Sequence, residues 1–594
     1  MRKSLFVAPL LAASLLVGCS NPTSIVEGER PNKPTSTASP SFSRETDPKK
    51  LDIPLTDVQA YQKGTKDADG WTTATMASGG EFKWRTLNAD GQSAKPDTTT
   101  VAWGAAQTYT DVPGVLTFRG NNYRDAPAYG TAEISDKKLE IVWTQDTGEV
   151  RGEDGYFPGA GWTGQPLIVN WPEATRKAMF DGTEYEDKDL VEVLYPTFDG
   201  KVYRLDLETG KQTKEPMEGT GGFKGTGSID PRGYPLLYAG QGLDDMNGTE
   251  VPFRYRIFDL IQNKEVSGWT GNDDPARPRN IPESGDEPEN IWGAFDSSAL
   301  INGPSDTLIE PSENGLIYKA KLNTKFDAEA KTVSVEPELS RMEYRTPTSK
   351  EFGIESSAVA YHNLMYATDN DGNLICWDAD TLAVVWATAV GDDSDASLVL
   401  EEEDGEVYLY TGNEVDQRRA SGQNVTNLRK FNALSGELVW QYDVPTSAID
   451  PSSTVQGGEF ATPLLGKGEI SDLIIYNVAK TSDAGLFCVP IVNKCTGNWG
   501  GTLIALDKAT GKPVWTRQLA DYSWSSPISI TSTDGHQYGV FGDSAGVLHL
   551  FDPNTGEDLS TLSLGKNIET SPAAYGNMLV LASYDKKIFG VRVS

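Results

Sequence analysis

Over most of the chain, short apolar runs alternate with polar positions, and glycine, aspartate or asparagine interrupts each run. Val193–Tyr195, Leu473–Tyr476 and Met578–Leu581 are typical runs. Alternation with a period of two predicts β-strands with one buried face. Turn pairs such as Asp371-Gly372 precede many strands and favour tight hairpins. The pattern predicts an all-β chain from about residue 137 to the end.

An eleven-residue unit recurs along these strands. In its best copy, Ala505–Trp515, Asp507 ends a strand, Thr510 and Gly511 form a turn, and Trp515 lies on the next strand. Further copies contain Asp206 with Gly210, Asp378 with Trp386, Gly436 with Trp440, and Asp552 with Gly556. Repeats of about 40 to 75 residues suit propeller blades of four short strands. The markers at 206, 259, 323, 378, 432, 507 and 552, with Arg592 in the last place, predict an eight-bladed β-propeller over residues 137–594.

The last repeat lacks its outer strand, because only Val593 and Ser594 follow Arg592. A strand of the missing type, Lys138–Trp143, lies at the other end of the repeats. We predict that this N-terminal strand closes the ring, with Trp143 as the missing tryptophan, so that no edge strand remains unpaired. Small residues upstream of each marker, such as Ser297 and Ser298, predict innermost strands that converge on a narrow axis.

The eleven-residue unit resembles the tryptophan-docking motif of the pyrroloquinoline quinone (PQQ) propeller superfamily, Ala-x-Asp-x-x-Thr-Gly-x-x-x-Trp. Residues 505–515 match it at every fixed position, and weaker copies extend the resemblance over about residues 113–594. The resemblance implies that each tryptophan packs against the neighbouring blade and that the Asp and Thr-Gly residues organise the turn. The motif residues are therefore expected to be scaffold.

Two branches of that superfamily imply different functions. Quinoprotein dehydrogenases hold PQQ and Ca²⁺ near the axis, whereas the BamB-like branch is non-enzymatic and serves as a docking platform. This chain has no adjacent cysteine pair of the dehydrogenase type. Asp296 and Glu355 are the carboxylates that the repeats place best for a base or a calcium ligand, but a solvated turn is the expected role for both. We expect no cofactor, with PQQ and Ca²⁺ as the alternative.

The N-terminus has the pattern of an export signal. Arg2 and Lys3 precede an apolar run, and Leu16-Val17-Gly18-Cys19 resembles the lipobox of bacterial lipoproteins. We predict a signal peptide over residues 1–18 and lipidation of Cys19. Residues 19–50 are rich in Pro, Ser, Thr, Glu and Lys and predict a disordered tether. Residues 51–136 predict an irregular N-terminal segment.

The chain carries 52 basic and 85 acidic residues, for a net charge of −33. This balance gives no basic footprint for nucleic acid. Cys488 and Cys495 lie seven positions apart and predict a disulfide in an oxidising compartment. Cys376 is expected to be a small buried residue. The three histidines, at 362, 536 and 549, are scattered, so no metal site is expected.

These patterns predict a monomeric, membrane-anchored, extracytoplasmic propeller that binds a partner without catalysis. The partner is expected to be a protein, or a cell-wall or glycan ligand, at a mouth of the ring where the loops converge. Trp292 or Trp524 would be the exposed aromatic side chains for a glycan. The long interval around Cys488–Cys495 is the first choice for a specialised loop.

Overall fold

The molecule is an all-β propeller. The computed structural model describes residues 25–28, 44–95, 97–152, 155–161, 164–277, 292–349, 353–416, 424–446, 457–482, 487–489, 494–496 and 499–594. Within these ranges, no helix combines the length and the apolar character needed to cross a membrane. We number the large sheets 1 to 8 in the chain order of their innermost repeat strands. These strands, which we call the first strands, are Leu167–Asn170, Ser228–Ile229, Leu300–Asn302, Val359–Tyr361, Val399–Glu403, Leu464–Leu465, Ile528–Thr531 and Ala573–Tyr575.

Six of the large sheets have four or five strands. Sheet 1 contains Gly114–Val115, Leu167–Asn170, Val191–Pro196, Lys201–Asp206 and Met217–Glu218. Sheet 2 contains Ser228–Ile229, Leu236–Gly240, Arg254–Asp259 and Lys264–Thr270. Sheet 4 contains Val359–Tyr361, Leu364–Thr368, Asn373–Asp378 and Val384–Ala389. Sheet 5 contains Val399–Glu403, Glu406–Thr411, Val425–Asn432 and Leu438–Pro445.

Sheets 7 and 8 complete this group. Sheet 7 contains Ile528–Thr531, Gln537–Gly542, Val547–Phe551 and Asp558–Ser563. Sheet 8 contains Ala573–Tyr575, Met578–Ser583, Lys587–Val593, Leu139–Asp146 and the parallel strand Ala128–Tyr129. In sheet 8, Leu139–Asp146 pairs antiparallel with Lys587–Val593 and places Trp143 opposite Gly590. The two ends of the repeat region therefore meet in one sheet.

Sheets 3 and 6 each have seven strands. Sheet 3 contains Leu300–Asn302, Thr307–Pro311, Leu316–Lys321, Glu338–Arg345, Glu81–Leu87, Thr72–Thr75 and Thr65–Lys66. Sheet 6 contains Leu464–Leu465, Leu473–Ser482, Gly500–Asp507, Pro513–Leu519, Ile25–Glu27, Gly457–Gly458 and Glu414–Val415.

The prediction of eight blades of four strands each is therefore wrong. The described residues form six sheets of four or five strands. In sheets 3 and 6, strands from outside the repeat are added to the sheet, because an open edge accepts any extended segment with the right register.

Smaller elements complete the described part of the chain. Three two-stranded sheets pair Glu149–Gly152 with Gly155–Pro158, Lys325–Asp327 with Thr332–Ser334, and Phe487–Val489 with Lys494–Thr496. The α-helices are Pro48–Leu51 and Glu173–Phe180, and the 3₁₀ turns are Leu55–Asp57, Ala106–Thr108 and Gly468–Ile470.

Two N-terminal strands pair with the sheets of the repeat region. Within the predicted tether, Ile25–Glu27 pairs with the outer strand of sheet 6, where Val26 lies opposite Thr516. Within the predicted irregular segment, Glu81–Leu87 extends sheet 3 by pairing with Glu338–Arg345. The N-terminal chain thus lies against the outer edges of two sheets.

Neighbouring sheets are joined by one repeated contact. The indole Nε1 of Trp515 in sheet 6 donates to Pro553 O in sheet 7 at 3.0 Å. The same contact joins Trp386 to Ala433 O (3.2 Å), Trp440 to Lys508 O (2.9 Å) and Trp143 to Leu207 O (2.7 Å). Each acceptor follows directly the Asp or Asn marker of the next sheet. The last contact joins sheet 8 to sheet 1.

Candidate ligand-binding mouth

A circle of hydrogen bonds links the first strands of the sheets. One backbone N–H near the start of each first strand donates to a hydroxyl of the next sheet. These bonds run from Ser298 to Ser357 (2.9 Å), Ser357 to Ser397 (2.8 Å), Ser397 to Thr462 (3.2 Å), Thr462 to Ser526 (3.0 Å) and Ser526 to Ser571 (3.2 Å).

The circle continues through sheets 8, 1, 2 and 3. Ser571 N donates to Gly164 O at 3.3 Å, Gln165 N donates to Thr226 Oγ1 at 2.7 Å, and Ser298 Oγ donates to Gly227 O at 3.1 Å. The small residues that the sequence places at a narrow axis therefore also satisfy backbone donors there. We call this set the hydroxyl circle.

The space inside the hydroxyl circle is filled by residues 114–129, which we call the plug. Its backbone and side chains bond to the first strands of the surrounding sheets. The contacts join Val169 to Gly114, Ile229 N to Leu116 O (2.7 Å), Thr117 Oγ1 to Ala299 O (3.1 Å), Ala360 N to Asn122 O (2.8 Å), Leu400 N to Tyr123 O (3.0 Å) and Ala574 N to Pro127 O (3.2 Å). One short segment can reach all these strands only if they converge around it.

Two buried arginines complete the plug. Arg119 donates from Nη2 to Pro463 O and from Nη1 to Pro527 O, both at 3.1 Å, and so bonds sheets 6 and 7. Arg124 donates to Ser298 O at 2.6 Å and to Ala358 O at 3.0 Å. Burial lowers the pKa of Arg119 to about 9, although Asp125 opposes the shift.

A second circle of side chains lies two residues before the hydroxyl circle. In an extended chain, residues two apart point to the same side, so this set lies one step along the axis from the hydroxyls. Its described members, which we call the mouth ring, are Lys224, Asp296, Glu355, Asp395, Phe460, Trp524 and Glu569. One part of the mouth ring is acidic and another is aromatic.

The acidic part brings together the two carboxylates that the repeats single out. Lys224 forms ion pairs with Asp296 and, at 3.9 Å, with Glu355. Glu313, from the turn between the second and third strands of sheet 3, joins them. One carboxylate oxygen from each of Asp296, Glu313 and Glu355 lies within 4.8 Å of the others. These side chains are therefore not solvated turn residues.

A second carboxylate triad lies beside the first. Asp393, Asp395 and Glu414 also bring oxygens within 4.8 Å of one another. Glu414 comes from the chain after the second strand of sheet 5, and its Oε1 accepts from Asp395 N at 3.4 Å. Both triads offer oxygen donors of the kind that Ca²⁺ accepts in proteins.

Burial makes negative charge costly in this cluster. It raises the pKa of Glu313 well above the usual value, and the neighbouring Glu355 and Asp296 raise it further. Burial likewise raises the pKa of Asp395 and of Glu414. Burial opposes the charge of Lys224, but Asp296, Glu355 and Glu313 outweigh it and raise the pKa of Lys224. The mouth ring therefore favours a positive charge at this position.

The aromatic part of the mouth ring comes from sheets 6 and 7. The ring centroids of Phe460 and Trp524 are 4.6 Å apart, and Tyr522 lies 5.6 Å from Trp524. Trp524 is buried, with 7% of its surface exposed, so the prediction that it is an exposed aromatic is wrong. Trp292 is 36% exposed and packs edge-on against Phe253 at 4.7 Å.

The motif residues lie at the joints between sheets, away from the mouth ring. A Cβ atom at Gly210, Gly511 or Gly556 would lie 2.6 to 2.7 Å from an indole atom of the preceding sheet, and one at Gly436 would lie 3.2 Å from Trp386. The Asp507 carboxylate accepts from Thr510 N at 2.8 Å, and Asp206, Asp378 and Asp552 hold their turns similarly.

The cysteines and histidines have other surroundings. Cys376 is a free, buried cysteine. Backbone pairing places Cys488 opposite Cys495, and their disulfide stays a prediction. Cys19 lies outside the described residues. Among the described carboxylate clusters, neither triad includes a histidine: His362 bonds Leu51 O, His536 pairs with Glu469, and His549 lies between Asp543 and Asp558.

Sequence reasoning missed several residues of this site. Glu313 and Glu414 lie between the second and third strands of their sheets, where no repeat marker identifies them. Lys224 and Phe460 could have been found by counting two residues back from Thr226 and Thr462 of the hydroxyl circle. That count gives the mouth ring directly.

Sequence comparison identifies the repeats independently. The pattern of the family described as "Outer membrane protein assembly factor BamB" matches residues 331–473 and 500–593. No curated protein sequence matches the chain.

Solved structures similar to this chain include three proteins with 12 to 14% identity. The europium-containing methanol dehydrogenase has a TM-score of 0.40 and covers 81% of this chain and 98% of its own. BamB from Moraxella catarrhalis (TM-score 0.38) covers 76% and 97%, and the computationally designed Ika8 protein (0.38) covers 68% and 93%. On its repeats and their matched family pattern, this chain is a β-propeller protein built from PQQ-like repeats.

Proposed function

We propose that this chain is a lipid-anchored, extracytoplasmic propeller that binds a partner at the mouth ring and catalyses no reaction. The observation that carries the proposal is the plugged axis below a buried carboxylate cluster. Because residues 114–129 occupy the axis, a ligand at the mouth ring meets a closed floor. The buried carboxylate cluster therefore lies at the depth that an inserted partner group would reach, as expected for a docking site.

The proposal includes a closed ring of eight sheets, counting the two enlarged ones. The hydroxyl circle and the tryptophan contact of Trp143 support this arrangement, because both continue from sheet 8 to sheet 1. Such a ring would present one rigid mouth to a partner.

The anchor is proposed from the lipobox-like sequence that ends at Cys19. Two or more acyl chains would hold the protein stably at a membrane, whereas one chain would be marginal. The matched family pattern, described for an outer-membrane assembly factor, supports an extracytoplasmic site and a protein partner. The strand Ile25–Glu27 would then hold the outer edge of sheet 6 close to the anchor.

A PQQ- and calcium-dependent dehydrogenase is the second candidate, favoured by the two carboxylate triads. These residues would suit Ca²⁺. They do not suit the quinone, which carries three carboxylates: Lys224 is the one cation of the described mouth ring, and Asp296 already pairs with it. A glycan ligand is a weaker alternative, because the Trp524 ring is covered by Phe460 and Tyr522.

Site-specific photo-crosslinking in cells tests the proposal. A benzoylphenylalanine in place of Trp292, two residues before Ala294 on the approach to the mouth ring, should give a discrete crosslinked protein. The matched control replaces Tyr129, which is 39% exposed and lies beside Tyr575 at the far end of a first strand. Equal crosslinking at both positions, or none at Trp292 together with PQQ-dependent dye reduction, would reject the docking function.

A further inference from the structure

The acidic and aromatic parts of the mouth ring together indicate the chemistry of the group that binds there. We propose that the mouth ring recognises a group that carries an ammonium or guanidinium beside an apolar body. This inference rests on the proposed binding function and names the chemistry of its ligand. The same group could belong to a free amine or to a basic side chain of a partner protein.

The protein already binds an ammonium group in this cluster. Lys224 pairs with Asp296 and lies 3.9 Å from Glu355, with 15% of its side chain exposed. All three carboxylates of the first triad attract Lys224, and Asp395 of the second triad interacts with Lys224 and with Glu355. An ammonium ligand would add a second positive charge to a cluster that is still rich in acceptors.

Two buried carboxylate oxygens in the cluster lack a hydrogen-bond partner. Oε1 of Glu313 and Oδ1 of Asp395 have no hydrogen-bond partner among the described residues. Glu313 is 5% exposed and Asp395 is 9% exposed, so bulk water does not fully replace the missing partners. A buried acceptor without a partner costs free energy, and a cationic donor from a ligand would remove that cost.

The aromatic side chains favour an organic cation over a bare metal ion. Phe460, Trp524 and Tyr522 form one packed group next to the acidic part of the mouth ring. A metal ion would use the carboxylates alone and leave this group without a role. An alkyl or aryl ammonium would use both, since Tyr522, the partly exposed edge of this group, can bury apolar carbon beside the carboxylates.

Glu569 places negative charge on the other side of the aromatic group. Its carboxylate accepts from Tyr584 at 2.7 Å and raises the pKa of Tyr522, which burial raises first. The aromatic group therefore lies between Asp395 of sheet 5 and Glu569 of sheet 8. Carboxyl groups on both sides favour cationic ligands over carboxylate and phosphate ligands.

Calorimetry on the purified full chain tests this inference with three probes. Phenethylamine represents a free amine, and the blocked dipeptide acetyl-Phe-Lys-amide represents a partner side chain. Acetyl-Phe-norleucine-amide is the matched probe without the ammonium group. We expect saturable binding of at least one cationic probe, quenching of tryptophan fluorescence, and no binding of the norleucine peptide. The probe that binds more tightly identifies the source of the group.

Two variants and one control locate the binding. Glu355→Gln should weaken binding roughly tenfold or more, because it removes a partly buried charge partner. Trp524→Leu should weaken binding and abolish the fluorescence change. Glu557→Gln, on an exposed turn of sheet 7, should leave binding unchanged. Circular dichroism would confirm that each variant melts as the parent does.

Proton release provides a readout that a nonspecific surface would not give. Because burial raises the pKa of Glu313, Asp395 and Glu414, a bound cation should expel protons from these carboxyls, and its affinity should increase as the pH rises above the usual carboxyl pKa. Binding of Ca²⁺ alone, of all probes equally, or of none would overturn this inference. None of these results would contradict a crosslinked partner at Trp292. The docking function and the cationic ligand are therefore tested separately.

Discussion

The indole of Trp440 lies directly over Gly511 of the neighbouring sheet. A Cβ atom at Gly511 would lie 2.6 Å from the ring, and the residue has a φ of +68°, which favours glycine. We expect Gly511→Ala to lower the free energy of unfolding by about 1–3 kcal/mol, because it overpacks this joint. Urea unfolding measures the change.

Gly248→Ala is the matched control for this joint. Gly248 also has a positive φ, +82°, but nothing lies within 4 Å of the added Cβ atom. Its loss of stability reports the backbone strain alone. If both variants lose the same amount, the tryptophan contact contributes nothing to the joint.

Arg119 ties the plug to sheets 6 and 7. Arg119→Met keeps most of the apolar volume but removes the donors to Pro463 O, Pro527 O and Arg124 O. Each carbonyl left unpaired costs about 1–3 kcal/mol. We therefore expect a net loss of stability, although the variant no longer has to bury the charge of Arg119. Thermal unfolding measures it, and Arg592→Met on an exposed position is the control. An unchanged melting temperature would show that the plug does not hold the sheets together.

Glu459 should make the stability of the protein fall as the pH rises. It is fully buried, neither of its oxygens has a partner among the described residues, and burial raises its pKa well above 4.5. The folded protein therefore holds a proton that the unfolded chain has lost. This contribution is complete below about pH 4 and declines as the pH rises toward the folded pKa.

Glu459→Gln removes that titration. We expect the variant to gain stability relative to the parent by about 1.4 kcal/mol for each pH unit above the unfolded pKa, up to the folded value. Denaturant titrations at pH 5, 6, 7 and 8 measure the slope, with Glu557→Gln as the exposed control. Parallel curves for parent and variant would contradict this assignment.

Cys19 should decide where the protein is found. Lipidation would place the full-length chain in the membrane fraction, and Cys19→Ser should release it as a soluble or uncleaved form. Incorporation of labelled palmitate, visible in the parent and absent from the variant, checks the chemistry. Labelling of the variant would show that Cys19 does not carry the lipid.

The repeat motif predicted the joints of the fold because they depend on short-range features. A glycine in a tight turn and a tryptophan on the following strand recur with fixed spacing, so Trp515 and Gly556 could be assigned from sequence. The enlarged sheets could not be assigned this way. Ile25–Glu27 pairs with Pro513–Leu519 across nearly the whole chain, and no local pattern marks the partner of an edge strand.

The candidate site was predictable only where it coincides with the repeats. Asp296 and Glu355 stand two positions before the small residues of the axis, and the repeats therefore identify them. Glu313 reaches its triad from a turn and Glu414 reaches the other triad from the short strand Glu414–Val415, and alignment of the repeats covers neither. The plug was missed because Arg119 meets Pro527 across 408 positions of sequence.

The plug also has a consequence for how the chain is made. Residues 114–129 leave the ribosome before every first strand that they will bond, and Ala573–Tyr575 comes more than 440 positions later. Arg119 therefore waits for Pro527 O until synthesis is nearly complete, and such long-range contacts slow folding. A chain truncated in its last repeat would leave the axis without its final neighbours. The plug can therefore form all its bonds only when the last repeat is present, and a truncated chain would keep unpaired groups at the axis.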